Sequence, residues 1–169
     1  MTLRCAVVVW LLLVSGAECA AKSQQQSAAP LVAGQPIVRE MRGGEEHGYQ
    51  VSLRAGQHAR VVVEQKGIDV VLALLGTDGK PLVEVDNNLS GTRGMEVISL
   101  LAESSGAYVL KVRSLEKGAV AGRYELRIEE LRDATGTDRI QVAAERSYNA
   151  GAQLQAERTA ESRRKAIEK

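Results

Sequence analysis

The stretch GAYVLKVRSLEKGAVAGRYELRIEEL, residues 106–131, decides the fold class of this 169-residue chain. Tyr124, Leu126 and Ile128 alternate with Arg123, Glu125, Arg127 and Glu129, the period of a strand with one buried face and one wet face. Tyr108, Leu110 and Val112 alternate in the same way with Val109, Lys111 and Arg113, and residues 118–122 between the two runs read as a turn. Working outward, Tyr49, Val51 and Leu53 repeat the pattern, followed by apolar runs at 58–65, 70–75, 82–86 and 95–101. About eight short strands, with turn residues between them, predict a mainly β protein: an antiparallel, jelly-roll-like β-sandwich. No long helical period interrupts these strands, which argues against an α/β fold.

One strand departs from simple alternation. In EQKGIDVVLALLGTDGKPLVEVDN, residues 64–87, the run 70–75 is apolar on both faces and ends at Asp78-Gly79, a pair suited to a tight turn. It reads as a central strand, covered on one face by the opposite sheet and on the other by a loop or by the C-terminal tail.

The ends of the chain read differently. Arg4, an apolar run at 5–14 and small residues at 15–21 follow the order of a secretory signal peptide, with cleavage near Ala20 or Ala21. Residues 22–30, poor in apolar side chains, predict a flexible linker. The sandwich is placed at 31–132. Beyond it Ile140, Ala143, Ala144, Tyr148, Gly151 and Leu154 recur at helical spacing with Thr137 as N-cap, and a second helical segment is expected at 159–169, so 133–169 form a helical extension.

Composition restricts the function classes. Lys and Arg number 22 against 21 Asp and Glu, and the net charge of +1 survives removal of a leader holding Arg4 and Glu18. That balance gives no field for nucleic acid or an anionic membrane, and with no Phe and 3% aromatic residues there is no stacking platform for bases. Both cysteines, Cys5 and Cys19, lie in the leader, so the mature chain has neither a disulfide nor a cysteine metal site.

The pieces Tyr49-x-Val51, Ala55-Gly56-Gln57, Gly67-Ile68-Asp69-Val70-Val71, Asp78-Gly79, Ser105-Gly106-x-Tyr108-x-Leu110 and Gly122-x-Tyr124-x-Leu126 occur in that order. Together they resemble the bacterial pre-peptidase C-terminal type of domain, a compact sandwich attached to exported proteins. Residues 135–169, with Ala144-Glu145-Arg146 and Arg164-Lys165-Ala166-Ile167-Glu168, are similar to the start of the tetratricopeptide region in exported bacterial proteins that end in a caspase-like CHAT domain. The resemblance implies a periplasmic or extracellular sandwich preceding helical repeats, and the chain reads as the N-terminal part of a longer protein. The cysteine nucleophile of that family has no counterpart in the mature chain, so its peptidase activity is not carried over.

Candidate chemistry is sparse. His47 stands beside Glu45 and Glu46, a trio able to hold a cation or to act as acid and base; the plainer reading is the solvated start of a strand. His58 is the other imidazole. Asp69 opens the apolar strand, where burial would shift its pKa; the plainer reading is bonding to the amides of the Lys66-Gly67 turn, since no partner acid, base or nucleophile is visible. Glu84, Asp86 and Asn87, with Asn88, supply oxygen ligands of the kind calcium prefers, but Glu84 and Asp86 share one strand face and the EF-hand spacing is absent. No catalytic or cofactor-binding residues are assigned. The expected role is a non-catalytic exported accessory module that meets a protein partner or downstream helical repeats through residues 137–169. Two alternatives are a calcium-dependent carbohydrate or protein binder and a small hydrolase using Asp69 or His47.

Overall fold

A computed structural model describes residues 28–86 and 91–156. Nine strands precede one helix: β1 (Ala29–Pro30), β2 (Ile37–Met41), β3 (Glu46–Leu53), β4 (Gln57–Lys66), β5 (Val70–Leu75), β6 (Pro81–Val85), β7 (Arg93–Leu101), β8 (Gly106–Ser114), β9 (Gly122–Asp133) and α1 (Gly136–Ala156). They form two stacked sheets, one in the order β1-β3-β8-β5-β6 and the other β2-β9-β4-β7. The inner faces meet in one apolar core, which includes Val51 and Leu53 of β3, Val61 and Val63 of β4, Ile98 and Leu100 of β7, and Leu126 of β9. Tyr108, Leu110, Tyr124 and Leu126 all point inward, as their alternation requires.

Two strands were not anticipated. β1 uses the last two residues of the expected linker and pairs parallel with β3, Ala29 opposite Tyr49, in a sheet otherwise antiparallel. Leu31, buried just after it, supplies the apolar anchor that ties this segment down. β2 pairs with β9 and sets Ile37, Arg39 and Met41 opposite Leu126, Tyr124 and Gly122. The charge of Arg39 breaks the apolar alternation of β2, which hides it from a periodicity reading.

β5 lies between β8 and β6. Val70, Leu72 and Leu74 enter the core, while Val71, Ala73 and Leu75 face outward. Among the described residues that outer face is crossed by an ion pair. Arg113 of β8 stands opposite Val71 and Glu84 of β6 opposite Ala73, and their 2.9 Å ion pair spans β5 from its two neighbours. The aliphatic stems of such long side chains cover apolar surface while their charged ends stay wet. Val71 is thereby buried.

Two glycines are fixed by geometry. Gly79 takes a φ of 77° in the β5–β6 turn, as the Asp78-Gly79 pair predicts. A Cβ on Gly122 would lie 2.5 Å from the carbonyl carbon of Gly67, so only glycine permits this close crossing. In β9 the register with β4 slips between Arg60–Glu130 and Val61–Ile128, leaving Glu129 as the extra residue of a bulge.

α1 begins with a reciprocal cap. The Asp138 carboxylate accepts from the Thr135 amide at 2.6 Å, and the Thr135 hydroxyl oxygen accepts from the Asp138 amide at 3.3 Å. Thr135, rather than Thr137, is therefore the N-cap. Arg132 adds a two-pronged contact to Asp138 at 2.6 and 2.9 Å, holding that carboxyl well below its usual range. Anchored in this way to the end of β9, α1 runs against β7 and β6, the two edge strands on one side of the sandwich. The second helical segment expected at 159–169 lies outside the described residues.

The two faces of β9 differ in a measurable way. Leu126→Ala is expected to cost about 2–5 kcal/mol in urea denaturation, since the site is walled by both sheets. Arg127→Ala on the outer face is expected to change stability by less than about 0.5 kcal/mol. Equal costs would mean that the inner face of β9 is misassigned.

Candidate functional site

His47 is no solvated start of a strand. It lies within β3, opposite Val112, and its side chain is only 9% exposed. Its Nδ1 is 2.8 Å from the Tyr124 hydroxyl, and that hydroxyl also contacts the hydroxyl of Tyr49. Tyr49 belongs to the five-stranded sheet and Tyr124 to the four-stranded one, so the contact joins the two layers. The Glu45 carboxylate, 3.8 Å from Nε2, favours the tautomer with its proton on Nε2. In that state Nδ1 accepts from Tyr124 and Tyr124 accepts from Tyr49, one proton per link. Burial and the Tyr49 bond push the Tyr124 phenol far above its usual pKa, so it remains a donor. Glu46, the third member of the expected trio, points elsewhere and pairs with Lys111 at 2.7 Å.

A second polar tie lies next to the first. Gln65, opposite Tyr124 in the β4–β9 register, donates to Glu96 at 3.2 Å and accepts from the Val70 amide at 2.7 Å. Glu96 is almost wholly buried on the inner face of β7. No sequence motif marks this set. The available signal was composition: the core aromatics are all tyrosines, and a buried tyrosine needs a partner for its hydroxyl.

Asp69 and Asp86 face one another electrostatically at the neighbouring ends of β5 and β6. Burial raises both carboxyls above their usual range; Asp86 raises Asp69 further, while Arg113 partly restores Asp86. Each has one buried oxygen, Oδ1, without a hydrogen-bond partner among the described residues. The backbone donor that favours ionised Asp69 is Val70, not the Lys66-Gly67 turn. Of the expected calcium ligands, Glu84 is held by Arg113, the charge of Asp86 raises the Asp69 pKa, and Asn87 and Asn88 lie outside the described residues. Among the described residues no group of three or more His, Cys, Asp or Glu side chains is placed to hold a metal ion.

His58 faces outward from β4 and is nevertheless buried; among the described residues its Nδ1 makes no hydrogen bond, and it lies 3.9 Å from Glu130. The helix presents a different surface from the one its periodicity suggests. Val142 is its buried apolar residue and Asp138 its buried acid, whereas Ile140 and Tyr148 are 74% and 77% exposed. Ala143 and Ala144 are exposed with them. Beside this stripe a groove of about 390 Å³ is lined by Arg60 and Val97 of the sheet and by Ala144, Glu145, Tyr148 and Asn149 of α1.

No protein-family model and no curated protein matches the chain. Among solved structures it is similar to the periplasmic inhibitor of g-type lysozyme from Aeromonas hydrophila, at 14% identity and a TM-score of 0.47 over 62% of this chain and 96% of that one. It is also similar to the pre-peptidase C-terminal domain of collagenase from Bacillus anthracis, at 19% identity and a TM-score of 0.47 over 60% of this chain and 94% of that one. The corresponding inhibitor from Salmonella Typhimurium aligns at 18% identity and a TM-score of 0.41 over 59% and 96% of the two chains.

Two pH effects follow from these environments. Burial, then Arg39, lowers the His47 pKa against the opposing effect of Glu45, so the unfolded chain takes up a proton first as pH falls below 6.5. Stability is expected to drop by at most about 1.4 kcal/mol per pH unit from there until folded His47 also protonates. In His47→Gln that contribution should vanish; an unchanged pH profile of the melting temperature would refute it. Asp69 has the opposite sign, because its raised pKa means that the charged form is disfavoured in the fold. Asp69→Asn is expected to raise the melting temperature at pH 7 and to lose that advantage below about pH 4, where the native side chain is itself protonated; a lower melting temperature at pH 7 would show that Asp69 is held by bonds worth more than its burial costs.

Proposed function

We propose that the chain is a non-catalytic accessory module of an exported bacterial protein, and that α1 is its interaction element. The observation that carries this reading is the exposed stripe of Ile140 and Tyr148 with Ala143 and Ala144 between them. A helix needs one apolar face to dock, and α1 has spent a different face, that of Val142 and Asp138, on the sandwich. The remaining stripe suits an amphipathic helix, since small residues let a second helix approach closely around the tyrosine anchor. The partner in this reading is either a separate protein or downstream helical repeats reached through residues 137–169. Export rests on the leader-like order of residues 1–21 and on the absence of cysteine from residues 22–169.

The test separates the stripe from the fold. A photoreactive amino acid at position 148 in the native host should cross-link to a defined protein or to the adjoining segment of a longer gene product. Ile140→Glu should abolish that cross-link while leaving the melting temperature within about 1 °C, as expected for an exposed site. Cross-linking unaffected by Ile140→Glu, or a melting temperature that falls with it, would sink the proposal.

A further inference from the structure

A second groove, separate from the exposed stripe, has a ligand chemistry of its own. It encloses about 290 Å³ beside α1, between Gly76, Thr77, Asp78 and Leu82 of the β5–β6 hairpin, Leu101 at the end of β7, Glu103 and Ser104 after it, Tyr108, and Arg146 of α1. Most of its polar groups are already committed. Asp78 is bound by the Lys80 amide and ammonium at 3.1 and 2.9 Å, Thr77 and Ser104 share a hydrogen bond of 3.2 Å, and Tyr108 donates to the Ser104 carbonyl at 2.9 Å.

Arg146 is the exception. A guanidinium has five N–H donors, and among the described residues Arg146 makes no hydrogen bond; its Nε is buried without a partner. Among the described residues its one ion-pair partner is Glu103, 3.7 Å from Nη1, beyond hydrogen-bond length, and the Glu103 side chain is 80% exposed on a loop. Glu103 therefore neutralises Arg146 only loosely and can swing into water without breaking a bond. Leu82 and Leu101, half-buried or exposed beside it, offer an apolar floor. One unmatched guanidinium over an apolar floor selects an anion with a flat pair of acceptor oxygens and a short hydrocarbon body.

We propose that this groove binds a carboxylate carrying a small branched apolar group, the carboxylate replacing Glu103 on Arg146 and the apolar group resting on Leu82 and Leu101. A peptide C-terminus ending in leucine has this chemistry, and so does a free branched acid. The end of a chain is distinguished from a free acid by comparing two probes.

The probes are acetyl-Ala-Ala-Leu with a free carboxylate and 4-methylpentanoate, titrated into the whole chain and followed by the backbone amide shifts of Leu82, Leu101 and Arg146. Binding of at least one at millimolar concentration is expected; the peptide alone would identify a chain terminus as the ligand, and both together the bare carboxylate. The C-terminal amide of the same tripeptide should bind at least about tenfold more weakly, because it loses the charge-assisted pair. Arg146→Gln should weaken the acid by about tenfold or more, whereas Glu103→Gln, which removes the internal competitor, should tighten it several-fold. Circular dichroism and melting temperature confirm that both variants are folded. Equal binding of acid and amide, binding unaffected by Arg146→Gln, weaker binding in Glu103→Gln, or no shift at Leu82 and Leu101 with either probe would overturn the proposal.

Discussion

The hydroxyl contact between Tyr49 and Tyr124 is the constraint around which the sandwich is organised. Apolar packing holds two sheets through the shapes of their side chains, but the dispersion contacts themselves have no direction. A hydrogen bond fixes one strand of each layer to one separation and one register. Here the chain of contacts runs from Tyr49 through Tyr124 to His47, with both tyrosines fully buried. Each buried tyrosine uses its hydroxyl, Tyr108 included, which ties the Ser104 carbonyl to the start of β8. The cost is that a buried polar chain must be complete, since a single orphan in a low-dielectric interior loses more than a neutral pair gains.

Gln65 extends that polar layer. It belongs to β4 but bonds the first amide of β5 in the opposite sheet, and its other end meets Glu96 on β7. The two ties sit side by side, because Gln65 and Tyr124 are register partners. Away from this layer the interior is aliphatic, dominated by valine and leucine on β3, β4, β5 and β8. The outer faces are laced with ion pairs such as Arg60–Glu129 and Lys66–Glu125. Exposed pairs of this kind contribute little stability one by one. The Arg113–Glu84 pair matters for another reason, since its stems shield the apolar back of β5.

Edges shape the rest. Sheets of five and four strands leave β6 and β7 unpaired on one side, and an open strand edge invites pairing with other chains. α1 lies against that side, fastened at its first turn by Thr135, Asp138 and Arg132. The face that α1 turns to the sandwich is that of Val142 and Asp138. The stripe of Ile140 and Tyr148 is left over, and so is Arg146, held above the neighbouring groove.

The sequence by itself determined which residues share a face. Alternation in β3, β8 and β9 named Tyr49, Tyr108, Leu110, Tyr124 and Leu126 as one-sided, and Asp78-Gly79 named its turn, because strand period and positive φ are local properties of the chain. Periodicity carries no information on which faces meet. Arg39 hides β2, His47 reads as solvated and lies beside Tyr124, and the period of α1 does not say that its stripe of Ile140 and Tyr148 stays exposed. The same holds for the candidate sites. Asp69 and Asp86, 17 positions apart in the sequence, act on each other's charge because β5 and β6 pair, and Arg146 reaches Glu103 only because α1 folds back over the edge. Long-range pairing decided these, since the free energy of burying a polar group depends on the partner it meets and not on its neighbours in the chain.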